Sequence, residues 1–260
     1  MKSTKSIELR GKPLSGGKLP LICTPLIGRT GEAIESELAK VIPKAPDLIE
    51  WRVDFFDGIA DIEQVIDMAR SIKAAARGIP ILFTRRSIRE GGESIPLTED
   101  HVVEMYCAVC RSGTVDFIDF EMSNATEHIR QLRQVSRQSD IKMVMSYHNF
   151  RETPALDVLF QRFVQAQEQG ADAAKVAVMP TRLEDVLALL SATLKAAQEL
   201  QIPVISMSMG SYGSLSRMFG WVFGSAVTFA VGDGSSAPGQ VPIEDLSAVI
   251  GIVRKAVSAT

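Results

Sequence analysis

The chain reads as a (β/α)8 barrel, and three observations carry that reading. Eight apolar, strand-like runs, at about 19–26, 47–54, 79–85, 115–122, 141–148, 172–179, 203–209 and 226–231, alternate with eight stretches of helical period, at about 31–44, 61–76, 98–111, 124–137, 154–169, 181–199, 214–222 and 243–257. No linker, internal repeat or low-complexity segment interrupts them, and 260 residues suit one such domain. No Gly-rich nucleotide fingerprint follows the first run, as an open doubly wound sheet would usually show. The expected organisation is a single domain over 1–260, with a small N-terminal β-hairpin at 1–18 and the barrel over 19–260.

The hairpin rests on a strand-like stretch from Lys5 to Leu9, followed by Gly11, Pro13, Gly16 and Gly17. Among the helices, Thr98, Thr153 and Thr181 stand where N-caps are expected. In a barrel the active site lies at the C-terminal ends of the strands, so polar residues there carry the functional reading. The second barrel strand places Glu50, Arg52 and Asp54 on one face and Ile49, Trp51 and Val53 on the other. Charges facing a barrel interior must be paired, and they form either a site or an internal ion-pair network. After the third strand, Arg86 and Glu90 flank a loop in which Gly91 and Gly92 permit a tight turn or close approach to a ligand. The fourth strand puts Asp119 and Glu121 on one face, and the fifth ends on His148.

The sixth strand centres on Lys175, which shares a face with Ala173 and Ala177. Small neighbours leave room for a long side chain to extend inward. In a closed apolar setting its ammonium would be disfavoured and the neutral amine made available as a nucleophile. The alternative is a strand-end lysine whose stem packs while its head reaches water. The loop after the seventh strand, 208–217, is small and polar and ends on Arg217. The loop after the eighth, 233–240, has similar character. Together they suit a phosphate or a carboxylate.

Net charge is −3 with no basic tract, which argues against nucleic acid and anionic membranes as partners. No apolar stretch reaches the length of a membrane span, and the first residues lack the apolar run of a signal peptide. Three cysteines do not make a disulfide framework, so a reduced cytoplasm is the expected compartment. Cys107 and Cys110 lie within a helical pattern with no second pair at metal spacing, which favours two buried thiols over a redox or zinc motif. His101 and His128, in helical stretches, are expected to face solvent.

Taken together, Glu50 to Asp54, Thr84 to Gly92, Ser146 to His148, Lys175 to Pro180, Ser216 with Arg217, and Ser236 to Gln240 resemble the type I 3-dehydroquinate dehydratases. The resemblance runs from about Leu19 to the C-terminus. It implies a (β/α)8 barrel that converts 3-dehydroquinate to 3-dehydroshikimate, in the shikimate pathway to aromatic amino acids. It also implies a homodimer and no metal or organic cofactor. By position, Lys175 matches the Schiff-base lysine, His148 the general acid/base and Glu90 the carboxylate paired with it. Glu50, Arg52, Arg86, Arg217, Ser236 and Gln240 match substrate-binding positions, and Met207 a pocket-lining methionine. The chain departs from the pattern twice. Asn149 stands where such proteins often carry Asp, which removes a charge beside His148. Arg85 stands where a phenylalanine is frequent, adding a positive charge that either favours an anionic substrate at the mouth or simply faces solvent.

The rival readings are another Schiff-base barrel enzyme, such as a class I aldolase, and a non-catalytic barrel that binds a small anion. A fused bifunctional form is disfavoured because the chain ends at Thr260.

Overall fold

The computed structural model of the chain describes residues 6–9, 12–14 and 19–257. A short antiparallel pair, β1 (Ile7–Leu9) and β2 (Lys12–Leu14), comes first. The hairpin is therefore present, while Lys5, Gly11, Gly16 and Gly17 lie outside the described residues. Eight parallel strands follow: β3 (Leu21–Leu26), β4 (Leu48–Arg52), β5 (Ile81–Thr84), β6 (Phe117–Glu121), β7 (Lys142–Asn149), β8 (Ala173–Val178), β9 (Val204–Ser208) and β10 (Val227–Phe229). Each pairs with the next in the chain, and β10 returns to pair with β3. Between β9 and β10 the ring is joined by a parallel bridge from Val204 to Ser225 and by the bond from Ala226 N to the Val204 carbonyl at 2.8 Å. The helices between strands are α1 (Gly31–Val41), α2 (Ile62–Ala75), α3 (Glu99–Ser112), α4 (Thr126–Gln138), α5 (Leu156–Glu168), α6 (Leu183–Glu199), α7 (Gly210–Phe219) and α8 (Ile243–Val257). This is the (β/α)8 barrel the alternating pattern predicts.

Strand alternation sets which side chains reach the site. On β4, Ile49 and Trp51 point outward into the layer between strands and helices, so Leu48, Glu50 and Arg52 point inward. An edge-to-face aromatic series fixes this register: Phe56 on Trp51 at 5.8 Å, Trp51 on Phe83 at 5.5 Å, Phe83 on Tyr106 at 5.0 Å and Tyr106 on Phe120 at 5.4 Å. Each such pair contributes about 0.5–1.5 kcal/mol beyond its buried area. A one-residue slip of β4 would expose Trp51 to the polar interior and bury Glu50 among hydrocarbons, so the core enforces the geometry of the site. The inner floor of the barrel is apolar, built from Leu21, Leu48, Leu82, Phe117 and Val144, and Leu14 of β2 is buried against it. The hairpin thus plugs the end opposite the functional one.

Thr98 caps α3 as expected, accepting a hydrogen bond from His101 N. Thr153 and Thr181 do not cap. The Thr153 hydroxyl donates to the Met179 carbonyl, and α5 starts three residues on, at Leu156. At α6 the Asp185 carboxylate in the first turn accepts from Thr181 N, Thr181 Oγ1 and Arg182 N, so the helix is closed from its own side. The stretch after β9 also differs from expectation. It is helical from Gly210 rather than a loop to residue 217, held by Ser216 Oγ, which accepts from Ser208 N at 2.8 Å. Cys107 and Cys110 are buried thiols on α3. His101 is exposed, whereas His128 is partly buried against Asp100 at 2.9 Å. Among the described residues, no helix is long and apolar enough to cross a membrane.

Candidate active site

Above the apolar floor, the inward side chains change character in one step. Glu50 of β4, Thr84 of β5, Asp119 of β6, Ser146 of β7 and Lys175 of β8 form a buried polar layer. Parallel register places Ser146 beside Lys175 and Thr84 beside Asp119. The next level up brings in Arg52, Arg86, Glu121, His148 and Met207, at the strand ends and the loop after β5. Above the polar layer lies a cavity with an empty volume of about 400 Å³. Its lining contains Glu50, Arg52, Arg86, Glu90, His148, Lys175, Met207, Ser236 and Gln240, nine of the ten residues singled out from sequence. Arg217 stands just behind the wall. Its guanidinium lies 3.8 Å from the Met207 sulfur and donates to the carbonyls of Phe229 at 3.5 Å and Pro238 at 3.1 Å.

Lys175 is 3% exposed, which settles against a lysine whose head reaches water. The apolar setting expected around it is nevertheless corrected. Its Nζ donates to Asp119 Oδ2 at 2.9 Å, lies 3.4 Å from Glu50 Oε1, and sits 4.5 Å from the centre of the Phe229 ring. The neighbours along its own strand are small, but polar groups arrive from across the barrel.

Asp119 was visible in the sequence only as half of an inward pair with Glu121. In the structure it is the centre of the polar layer. Oδ2 takes Lys175, while Oδ1 accepts from Arg86 Nη2 at 2.8 Å and from Ser146 Oγ. Burial alone would raise its carboxyl, but Arg86 and Lys175 outweigh burial and hold it well below the usual carboxylate range. Arg86 reaches Glu121 at 3.2 Å and Glu90 at 3.8 Å as well. Burial works against its charge, yet Asp119, Glu121 and Glu90 make the guanidinium hold its proton more tightly than usual.

Glu90 and His148 meet across the mouth, with Glu90 Oε2 2.9 Å from His148 Nδ1. The same oxygen accepts the backbone N–H of His148 at 3.0 Å, and Oε1 accepts from Ser123 Oγ at 2.9 Å. Burial, followed by the charges of Arg86 and Lys175, pushes the imidazole well below its ordinary value, so this is a hydrogen bond to a neutral ring rather than an ion pair. Burial and the nearby Glu121 raise Glu90 to about 7. Where Glu90 is ionised both its oxygens only accept, so the ring proton belongs on Nδ1, which leaves Nε2 as the free base of the ring.

The loop bearing Glu90 is tied down by Asp54. Its carboxylate binds Arg52 through two contacts at 2.8 and 2.7 Å and accepts the backbone N–H groups of Arg86 and Glu93, both at 3.2 Å. At Gly92 a Cβ would lie 2.0 Å from the Arg86 carbonyl oxygen, so glycine is required for this tight return. Arg85 does neither of the two things expected of it. It points outward from the barrel, is buried, and forms a two-contact pair with Glu99 of α3 at 2.7 and 3.3 Å. Asn149 caps the following turn, accepting from Arg151 N and Glu152 N. Opposite, the 233–240 segment lies over the cavity. Gln240 Oε1 accepts from Ser236 N at 3.1 Å, and Gln240 Nε2 donates to Ser236 Oγ at 3.3 Å. Gly91, Phe150, Ala177, Met209, Phe229 and Ala237 complete the lining, and of these Phe150, Met209 and Phe229 were not anticipated.

Comparison with known proteins places this geometry in a family. The family model described as Type I 3-dehydroquinase matches residues 22–256. A 3-dehydroquinate dehydratase from Albidiferax ferrireducens is 59% identical over 256 residues, covering 98% of this chain and 97% of the relative. Among solved structures, a 3-dehydroquinate dehydratase from Geobacillus kaustophilus superposes with a TM-score of 0.94 at 47% identity, over 96% of this chain and 97% of that one. A type I 3-dehydroquinate dehydratase from Clostridium difficile with covalently modified comenic acid gives a TM-score of 0.92 at 34% identity, over 98% and 100%. The chain belongs to the type I 3-dehydroquinase family.

Proposed function

We propose that the protein dehydrates 3-dehydroquinate to 3-dehydroshikimate in the shikimate pathway, through an imine on Lys175. The observation that carries the reading is the meeting, in one cavity, of a buried lysine with a histidine held by a carboxylate. The chemistry explains the need for both. A hydroxyl β to a ketone departs once the proton on the carbon between them is removed. Joining the ketone to Lys175 makes an iminium, a better electron sink than the carbonyl, and so acidifies that C–H bond. His148 Nε2 takes the proton and returns one to the departing hydroxyl, and Glu90 holds the ring in the tautomer that leaves Nε2 free. Arg52, Arg86, Glu50 and Gln240 orient the ring hydroxyls. Arg217 receives the substrate carboxylate. Among the described residues its buried guanidinium contacts only carbonyls and a thioether and its Nε has no partner, and burial weakens its hold on its proton to about 10, so a carboxylate would complete it. Residues 1–260 as one domain, assembly into a homodimer and a cytoplasmic location are further parts of the proposal, resting on the family resemblance and the composition.

The test is product analysis with purified protein and 3-dehydroquinate. Formation of 3-dehydroshikimate that disappears in Lys175→Ala supports the reading. Carbon–carbon cleavage products would move it to an aldolase, and full activity in Lys175→Ala would remove the imine.

A further inference from the structure

We propose that Asp119 is the counter-ion of the Lys175 nitrogen throughout the reaction, of the ammonium at rest and then of the iminium. The inference rests on the imine reading above and adds a catalytic role for a residue that faces away from the substrate. Asp119 is fully buried and is not among the cavity-lining residues, so its contact with Lys175 at 2.9 Å comes from below the cavity. Glu50, the other carboxylate within reach at 3.4 Å, lines the cavity, and its Oε1 also accepts from Thr84 Oγ1 at 3.0 Å. The two oxygens of Asp119 have divided duties. Oδ1 is held by Arg86 and Ser146, which fixes the carboxylate, and Oδ2 is left for Lys175.

Charge balance makes the role specific. An ammonium and a ketone give an iminium and water. The C=N bond forms and the C=O bond breaks. The ketone oxygen leaves as water with two of the three ammonium protons, while the third proton and the positive charge stay on nitrogen. One buried cation replaces another at the same atom, and Asp119 need neither gain nor lose a proton. A buried cation without a partner would be strongly disfavoured. With Asp119 beside it the iminium stays protonated, and only the protonated form is the strong electron sink. The Phe229 ring, 4.5 Å from Nζ, offers its negative face to the same charge.

The experiment compares wild type with Asp119→Asn, which keeps the shape and removes the charge. Two quantities are read across pH: kcat, and the rate of borohydride trapping of 3-dehydroquinate on Lys175, followed by peptide mass spectrometry. The expected result is an alkaline limb moved down by about 1–3 pH units in both, the span over which one close opposite charge shifts a proton affinity. A merely structural role would lower kcat without moving that limb. If wild type is trapped on Lys175 and Asp119→Asn shows the wild-type limb, the counter-ion proposal fails while the imine stands. If wild type gives no Lys175 adduct, the imine reading fails and takes this inference with it. Should Asp119→Asn not fold, nitrogen-15 NMR of lysine-labelled His148→Ala, in which the adduct accumulates, decides the matter. The nitrogen is expected to remain protonated to about two units above neutrality. A neutral imine at neutral pH would overturn the proposal.

Discussion

Glu90 Oε2 accepts two hydrogen bonds from one residue, the backbone N–H of His148 at 3.0 Å and its ring Nδ1 at 2.9 Å. The carboxylate therefore fixes both where β7 ends and how the imidazole turns.

The first prediction concerns pH and stability. Glu90 is raised to about 7 in the folded protein by burial and Glu121, against an ordinary value of 4.5. Between those values the folded state holds a proton that the unfolded state releases, so this group's contribution to stability is present below pH 4.5 and lost as pH rises through 7. Glu90→Gln lacks the titration. Its stability relative to wild type should improve as pH rises across that window, in urea midpoints taken at both ends. A constant difference would contradict the raised carboxyl.

The second concerns the base. His148→Ala should lower kcat by about 10²–10⁴-fold, the usual contribution of a positioned acid/base group, while the lysine adduct accumulates. Mass spectrometry of the intact protein during turnover reads the adduct directly. A variant with near-native kcat would show that another base is at work.

The third concerns the carboxylate clamp. Arg217→Lys keeps the charge but loses the planar pair of donors. KM should rise about 10–100-fold, from the 1.5–3 kcal/mol of a hydrogen bond to a charged group, with kcat less affected. Steady-state kinetics decide it, and an unchanged KM would take Arg217 out of the clamp.

The fourth is structural. The Tyr106 hydroxyl donates to the Asp119 carbonyl at 2.7 Å and accepts from Arg85 N at 2.7 Å, linking α3 to two strands. Tyr106→Phe keeps the edge-to-face ring contacts and strands two buried backbone groups. It should cost about 2–4 kcal/mol in denaturant unfolding. A loss near zero would mean that those groups find other partners.

Much of this architecture is legible along the chain. Strand alternation alone puts Glu50, Arg52, Asp119, Glu121, His148 and Lys175 on inward faces, and the barrel rule places their upper members at one end. The same alternation, carried one step past Thr84, separates Arg85 from Arg86: the first points out to Glu99 and the second in to Asp119. That distinction was within reach of the sequence. The Asp119–Lys175 contact was not, because it spans 56 residues and two intervening connections and depends on how far each side chain extends across the barrel. Arg217 shows another limit. Serine and glycine suggest a loop, but Ser216 and Gly213 pack the segment onto Ser208 as a helix, and Arg217 is delivered from its last turn. Thr153 and Thr181 fail as caps because the Thr153 hydroxyl goes to the Met179 carbonyl and the Asp185 carboxylate closes α6 from within.

The most direct test of the central claim is borohydride reduction of the wild-type protein in the presence of 3-dehydroquinate, followed by peptide mass spectrometry. A single reduced adduct on Lys175 is the expected result. An adduct on another lysine, or none in protein shown to bind the compound, would contradict it.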